Sequence, residues 1–291
     1  MATRRYLQLD VFAARAGTGN PLGVVLDAEG MDTASMQALA AWLNLSETVF
    51  FVPVQDPAAD YRIRIFTPGS ELPFAGHPSV GAAWAALDVG LVDADARALV
   101  QQCHAGLLPV RVEKTADGKR TIELRTPRRQ ALSTPPVAIP ASLQALAAAD
   151  AAPVLWSNGP AWWLLRAGSA GAVRGFEPDF PAIAAFTNAT DATGLAIFAP
   201  EASAGHDVVV RAFCPGDAVN VPEDPVTGSA NALVAAWLAA HAALPHADGR
   251  YVASQGRELG RDGRVQLRVD ADGEVWLGGE VQPVIRGSID W

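Results

Sequence analysis

The chain has 291 residues, half of them hydrophobic, and a formal net charge of −9. This length allows two domains of ordinary size, each with a sizeable core. The acidic balance argues against binding to nucleic acid or to anionic membranes. The two cysteines, Cys103 and Cys214, lack the spacing of a paired metal or redox site, so we predict no metal. The sequence shows no signal-peptide core and no stretch of membrane-spanning length, which predicts a cytoplasmic protein.

The N-terminal part of the chain is predicted to begin with two strands and a helix. Residues 6–12 alternate like a strand, and residues 22–26 form an apolar run after a turn that contains Asn20. Residues 33–43 have the spacing of an amphipathic helix, whose apolar face comprises Met36, Leu39, Ala40 and Leu43. Glu47 then precedes a very apolar strand. A carboxylate at that position is either solvated at the strand edge or held for a chemical purpose.

The middle of the chain is predicted to contain further strands and one turn-rich segment. Strands are expected at residues 61–66, 99–103, 110–114 and 121–125, and the dipeptide Asp117-Gly118 between the last two is typical of a hairpin turn. Residues 126–140 contain four prolines and are the predicted linker. Short strands and helices follow, ending in strands at 265–269 and 275–277.

Two stretches of the chain repeat each other at a constant offset of 147 residues. Seven positions are identical in the two copies, namely 64/211, 66/213, 68/215, 69/216, 78/225, 81/228 and 83/230. A fixed offset of half the chain indicates an internal duplication. We therefore expect two similarly folded halves related by an approximate twofold axis.

Each copy is predicted to be a strand, a Phe-x-Pro-Gly loop and a helix that starts at Pro78 or Pro225, because proline suits the first helical position. His77 and Asp224 would then be the helix N-caps, a role that is ordinary for aspartate and unusual for histidine. The helices at 79–87 and 229–238 are apolar nearly all round, so they must be buried on all sides. This predicts an α+β fold in which each half is a curved sheet or barrel wrapped around a central helix.

Helix N-termini bind anions, since their N–H groups are unpaired and the helix dipole favours negative charge. We expect the two N-termini to meet in a cleft between the halves, with Gly81 and Gly228 permitting close approach of the backbone to a small carboxylate substrate. No glycine-rich phosphate-binding motif follows a strand, which predicts no nucleotide cofactor. One buried carboxylate, such as Glu47, could take a proton from an acidic carbon and return it elsewhere on the same face.

Several motifs together resemble the PhzF-like phenazine biosynthesis family, whose fold is that of diaminopimelate epimerase. They are Gly19-Asn20-Pro21-Leu22, Ser46-Glu47-Thr48, Phe66-Thr67-Pro68, Gly76-His77-Pro78, the run from Glu223-Asp224-Pro225 to Thr227-Gly228-Ser229-Ala230, and Gln255-Gly256. They occur in the family's order over nearly the whole chain, and the combination is specific.

The resemblance implies a cofactor-free isomerase and a homodimer. It implies that Glu47 is the general acid/base, and that His77 and Asp224 assist the proton and fix the substrate. The family's prototype converts trans-2,3-dihydro-3-hydroxyanthranilate to its ketone tautomer. The implied substrate-binding residues are Asn20, Gly76, Gly228 and Ser229. Related epimerases use one cysteine at each helix end, and the absence of both cysteines here disfavours racemisation by two thiols.

The predicted division places residues 1–127 in an N-terminal half that carries Glu47 and His77, with residues 281–291 completing it. Residues 128–280 form the C-terminal half that carries Asp224, and the active site lies in the cleft between them. Three readings of the function remain open. They are an isomerase acting through Glu47, an epimerase or hydration–dehydration enzyme with the same site, and a binding protein that has lost turnover. The sequence does not supply the physiological substrate or a phenazine pathway.

Overall fold

The computed structural model describes residues 2–114, 119–134, 136–203, 205–216 and 221–291. It divides the chain into two compact units, of which unit 1 comprises Met1–Arg125 with Gly278–Trp291 and unit 2 comprises Thr126–Leu277. The predicted hairpin turn Asp117-Gly118 and Pro135 of the predicted linker lie outside the described residues.

The elements follow one another as short strands interrupted by six helices in the described ranges. The first part of the chain contains β1 (Thr3–Val11), β2 (Asn20–Val25), α1 (Thr33–Leu43), β3 (Glu47–Val52), β4 (Tyr61–Phe66), β5 (Glu71–Leu72), α2 (Gly76–Asp88), β6 (Ala98–Cys103), β7 (Gly106–Lys114) and β8 (Arg120–Arg125). The second part contains β9 (Gln130–Ala131), α3 (Ala141–Leu146), β10 (Val154–Ser157), β11 (Ala161–Arg166), α4 (Ala170–Arg174), α5 (Phe180–Asn188), β12 (Gly194–Ser203), β13 (His206–Cys214), β14 (Val221–Asp224), α6 (Gly228–Ala240), β15 (Arg250–Gln255), β16 (Gly263–Val269) and β17 (Val275–Asp290).

Unit 1 is a mixed sheet around α2. Antiparallel pairs join β1 to β2, β3 to β4, β6 to β7 and β7 to β8, while β2–β3 and β4–β6 are parallel. Every residue of α2 from Gly76 to Leu87 is buried, and the helix packs against β1, β2 and β8. Helix α1 buries Met36, Leu39 and Ala40 in a second cluster with Phe50 and Phe66, which confirms the predicted amphipathic helix.

Strand β17 is much longer than the predicted strand at 275–277. Its C-terminal part belongs to unit 1 and pairs antiparallel with β1, from Thr3 opposite Asp290 to Val11 opposite Val281. Glycine and proline, which weaken a strand signal, recur after residue 277 in the sequence. Non-local pairing with β1 therefore forms this strand, and periodicity alone does not indicate it.

Unit 2 repeats the arrangement around α6. Strands β12–β13 and β15–β16 pair antiparallel, whereas β11–β12 and β13–β15 are parallel. Helix α6 is buried from Gly228 to Leu238, so the prediction of two central helices is confirmed. A second core, which includes Trp163, Phe186 and Phe213, packs α4 and α5 against the other side of β12 and β13.

The predicted starts of the two central helices are wrong. Helix α2 begins at Gly76 with Ala75 as N-cap, which makes Pro78 the third helical residue. Helix α6 begins at Gly228 with Thr227 as N-cap, and Asp224 is the last residue of β14. The N–H groups of a helix's first turn lack partners within the helix, so proline is tolerated at the third position of α2. Pro225 lies in the turn between β14 and α6, outside the helix. His77 and Asp224 are consequently not equivalent caps.

Candidate active site

Glu47 is the first residue of β3, where the strand emerges from the core. It pairs with Leu22 of the parallel neighbour β2, and the next three residues of β3 are fully buried. The Glu47 side chain is 17% exposed, so it is neither a freely solvated edge residue nor a sequestered one. The backbone thus holds this carboxylate at the boundary between core and solvent.

His77 lies beside Glu47, with Nδ1 of the imidazole 3.5 Å from Oε2 of the carboxylate. The ring is 3% exposed and makes a hydrogen bond to the backbone of Pro21. Since Nε2 has no hydrogen-bond partner among the described residues, we assign the N–H that reaches Pro21 to Nδ1. Nε2 is then a buried acceptor.

Burial lowers the pKa of His77 to about 3. The hydrogen bond to the backbone of Pro21 acts in the opposite direction, but the loss of hydration outweighs it. His77 is therefore neutral at ordinary pH.

Asn20 is held close to the same strand start. It is the first residue of β2, fully buried, and its Oδ1 accepts a 3.4 Å hydrogen bond from Oγ of Ser46, the residue before Glu47. The turn before Asn20 is fixed by Asp10, a buried residue of β1 whose Oδ2 accepts from the N–H groups of Gly17 at 2.7 Å and Gly19 at 3.0 Å. Sequence analysis missed Asp10, although an aspartate on an apolar strand before a glycine turn is a usable signal.

Gly76 is the first residue of α2 and precedes His77 directly. Gly81 was predicted to let the backbone approach a substrate closely, but its neighbours indicate a packing role. A Cβ at Gly81 would overlap the side chain of Leu22 and lie 3.0 Å from Cγ2 of Val11. This glycine lets α2 pack closely on β1 and β2, and it does not open the backbone to a ligand.

In unit 2 the predicted residues cluster at the start of α6. Oδ2 of Asp224 accepts a 2.7 Å hydrogen bond from the hydroxyl of Thr227, the N-cap. Gly228 and Ser229 are the first two helical residues. Oγ of Ser229 accepts from the indole N–H of Trp162 at 3.1 Å, so its own O–H is directed elsewhere. The carbonyl of Ser229 accepts from Nδ2 of Asn158, also at 3.1 Å.

The predicted residues therefore form two groups. Unit 1 brings together Glu47, His77, Asn20 and Gly76, and unit 2 brings together Asp224, Gly228 and Ser229. Within the described parts of the chain, no cluster of three or more metal-binding side chains occurs. In the same ranges, no helix has the length and apolarity needed to cross a bilayer.

Comparison with known proteins places the chain in a family. The model of the family described as "Phenazine biosynthesis-like protein" matches residues 9–287. The trans-2,3-dihydro-3-hydroxyanthranilate isomerase of Pseudomonas aeruginosa is 34% identical over 93% of this chain and 92% of its own. A solved structure of a predicted epimerase from the same organism is 32% identical, with a TM-score of 0.77 over 98% of this chain and 99% of its own.

A solved PhzF-family structure from Bacillus anthracis covers all of both chains with a TM-score of 0.84 at 22% identity, which confirms the fold. The chain belongs to the phenazine biosynthesis-like protein family, as its motifs indicated. Several curated relatives that match at least nine tenths of the chain are named isomerases, and the protein is an enzyme of that class.

Proposed function

We propose that the protein moves a proton on a small carboxylate-bearing substrate, without a cofactor, and that Glu47 is the general acid/base. The observation that carries this proposal is the half-buried Glu47 carboxylate beside a buried, neutral His77. A carboxylate at the boundary between core and solvent can act as a general base toward a substrate carbon.

In the proposed reaction, ionised Glu47 takes a proton from an acidic carbon of the substrate. The electron pair left behind delocalises into the neighbouring π system, and the protonated Glu47 then returns the proton at another carbon on the same face. No oxidant or reductant is needed, because bonds and electrons balance within the substrate. His77 stays neutral throughout, and it is proposed to help to fix the substrate beside Glu47.

The carboxylate of the substrate is proposed to bind at helix starts, which offer unpaired N–H groups and a favourable dipole. Gly76 and Gly228 begin the two buried helices, and the Ser229 hydroxyl is directed away from its Trp162 partner. Asn20 and Asp224 are each proposed to contact polar groups of a substrate. Because the chain is 34% identical to the Pseudomonas aeruginosa isomerase, trans-2,3-dihydro-3-hydroxyanthranilate is the first compound to test.

Epimerisation is the second candidate, since the chain is 32% identical to a predicted epimerase. An epimerase returns the proton to the opposite face of the same carbon, which requires a second base. The two reactions are distinguished by product, because isomerisation moves a double bond whereas epimerisation inverts one centre.

The test is solvent-deuterium incorporation into a panel of small cyclic and amino-acid-like carboxylates, including the dihydrohydroxyanthranilate, followed by mass spectrometry. The proposal expects at least one compound to gain deuterium at a carbon with the wild-type protein. A compound that binds tightly, shown by a raised melting temperature, and yet never exchanges would support a binding protein instead. Inversion of one centre with uptake of deuterium at that centre would establish the epimerase.

A further inference from the structure

A glutamine outside the predicted site organises the start of α6. Gln255 is the last residue of β15 and is 1% exposed. Its Nε2 donates to the carbonyl of Asp224 at 2.9 Å and to Oγ1 of Thr227 at 3.0 Å. Its Oε1 accepts from the N–H of Thr227 at 3.0 Å and from Nδ2 of Asn231 at 2.7 Å. All four hydrogen-bonding positions of the amide are used.

These contacts fix the direction of a hydroxyl. Thr227 Oγ1 accepts from Gln255, so its single proton is available for Oδ2 of Asp224, which it reaches at 2.7 Å. Gln255 therefore holds the Asp224 backbone directly and the Asp224 carboxylate through one hydroxyl. A glutamate could not do this, because an ionised carboxylate presents only acceptors to the same two oxygen atoms.

Unit 1 contains a comparable glutamine. Gln101 lies on β6, which pairs parallel with β4 as β15 pairs parallel with β13. It is fully buried, and its Nε2 donates to Oγ of Ser79 at 2.9 Å. Ser79 in turn donates to the carbonyl of Ala75, the N-cap residue before Gly76. In each unit a buried amide on a neighbouring strand thus secures the first turn of the central helix.

We propose that Gln255 is a positioning residue for the proton transfer, acting through Thr227 on Asp224. The inference rests on the proposed function, since it gives Asp224 a role in orienting the substrate. The Asp224 carboxylate is thereby held in one orientation for contact with the substrate. Without Gln255 the Thr227 hydroxyl is free to turn to another acceptor, and the turn that carries Asp224 loses its anchor.

The test compares Gln255→Leu and Thr227→Val with the control Gln266→Leu, which makes the same change on the adjacent strand β16. Gln255→Leu should lower kcat roughly 10-fold to 100-fold, as expected for loss of positioning without loss of the base. KM should change less. Thr227→Val, which keeps Gln255 and the shape of the side chain, should lower kcat in the same way, and Gln266→Leu should match the wild type.

A double-mutant cycle separates positioning from a general loss of structure. If Gln255 acts through Asp224, Gln255→Leu should have little further effect on kcat in an Asp224→Asn background. If Gln255→Leu and Asp224→Asn lower kcat by factors that multiply in the double variant, the inference is overturned. Folded Gln255→Leu and Thr227→Val proteins with the kcat of the wild type would also overturn it. Neither result would affect catalysis by Glu47. A wild-type protein that exchanges no substrate, or a Glu47→Gln variant as active as the wild type, would instead overturn the proposed function and this inference with it.

Discussion

His77 shows how one environment decides the chemistry of one residue. A histidine that directly precedes a proline in a buried helix start has no access to the water that would hydrate its charge. Burial lowers its pKa to about 3, despite a carboxylate at 3.5 Å. At the residue scale, His77 is therefore a neutral hydrogen-bonding group, and the proposed mechanism assigns the proton to Glu47.

The depressed pKa of His77 predicts an acid-sensitive fold. The unfolded chain binds a proton near pH 6.5 and the folded chain only near pH 3, so acidification through that window favours unfolding. Protonation of the unfolded state should remove about 2 kcal/mol of stability between pH 7 and pH 5. In urea unfolding, the variant His77→Gln should lose that much less over this interval than the wild type. Equal losses in both proteins would show that His77 is not held neutral.

Two equivalent elements show how the duplication diverged. Arg64 on β4 and Arg211 on β13 each lie over the phenylalanine two residues later, with 5.1 and 5.0 Å from the guanidinium carbon to the ring centroid. Each also pairs with a glutamate, Glu71 in unit 1 and Glu223 in unit 2. The pair in unit 2 is buried, whereas that in unit 1 is partly hydrated.

The difference in burial between the two ion pairs predicts that replacing the arginine by methionine lowers the free energy of unfolding by unequal amounts. Arg211→Met should destabilise the protein by about 3–5 kcal/mol, because it leaves Glu223 buried and unpaired. Arg64→Met should cost about 1 kcal/mol, since water and nearby His104 can reach the Glu71 carboxylate. Urea unfolding of the two variants measures both. A larger loss for Arg64→Met would mean that burial does not control these pairs.

The tight contact between α2 and its sheet gives a second prediction at this scale. Gly81→Ala should destabilise the protein by about 1–2 kcal/mol, because overpacking against Leu22 exceeds the gain in helix propensity. Gly69→Ala is the matched control, since a Cβ there has no neighbour within 4 Å. Thermal unfolding should separate the two variants. A stabilised Gly81→Ala protein would show that α2 has room to move away from β2.

The elements that could be predicted from sequence are those whose signal is local. The apolar helices and the amphipathic α1 are visible in the spacing of neighbouring side chains. The internal duplication is visible as identical residues at a constant offset. The helix starts were misplaced, because proline is acceptable throughout the first turn, as in α2, and also in the turn before a helix, as in α6. Asp10 was missed as a site-organising residue, and Gln255 was noted only as part of the Gln255-Gly256 motif, since the groups that they hold are brought to them by strand pairing and turns.

At the scale of the whole molecule, the late strand β17 links the two units along the chain. Its first three residues belong to unit 2 and the remainder to unit 1. Family membership further motivates the proposal that the protein is a cytoplasmic homodimer with a small carboxylate ligand and no nucleic-acid partner.

The proposed homodimer has a direct test. Sedimentation velocity at micromolar concentration should give a species of about twice the 30.4 kDa chain mass. A single monomeric species at all concentrations would remove this proposal without affecting the Glu47 chemistry.

The central claim is that Glu47 moves the proton, and the most direct measurement is the exchange of a substrate C–H in D2O, followed by NMR, with wild type and Glu47→Gln. The variant keeps the shape of the side chain but lacks the base, so exchange should fall roughly 10²–10⁴-fold while the substrate still binds. Asp224→Asn and His77→Ala should lose less, because the base remains in place. Equal exchange by the wild type and Glu47→Gln would contradict the account and assign the proton to another group.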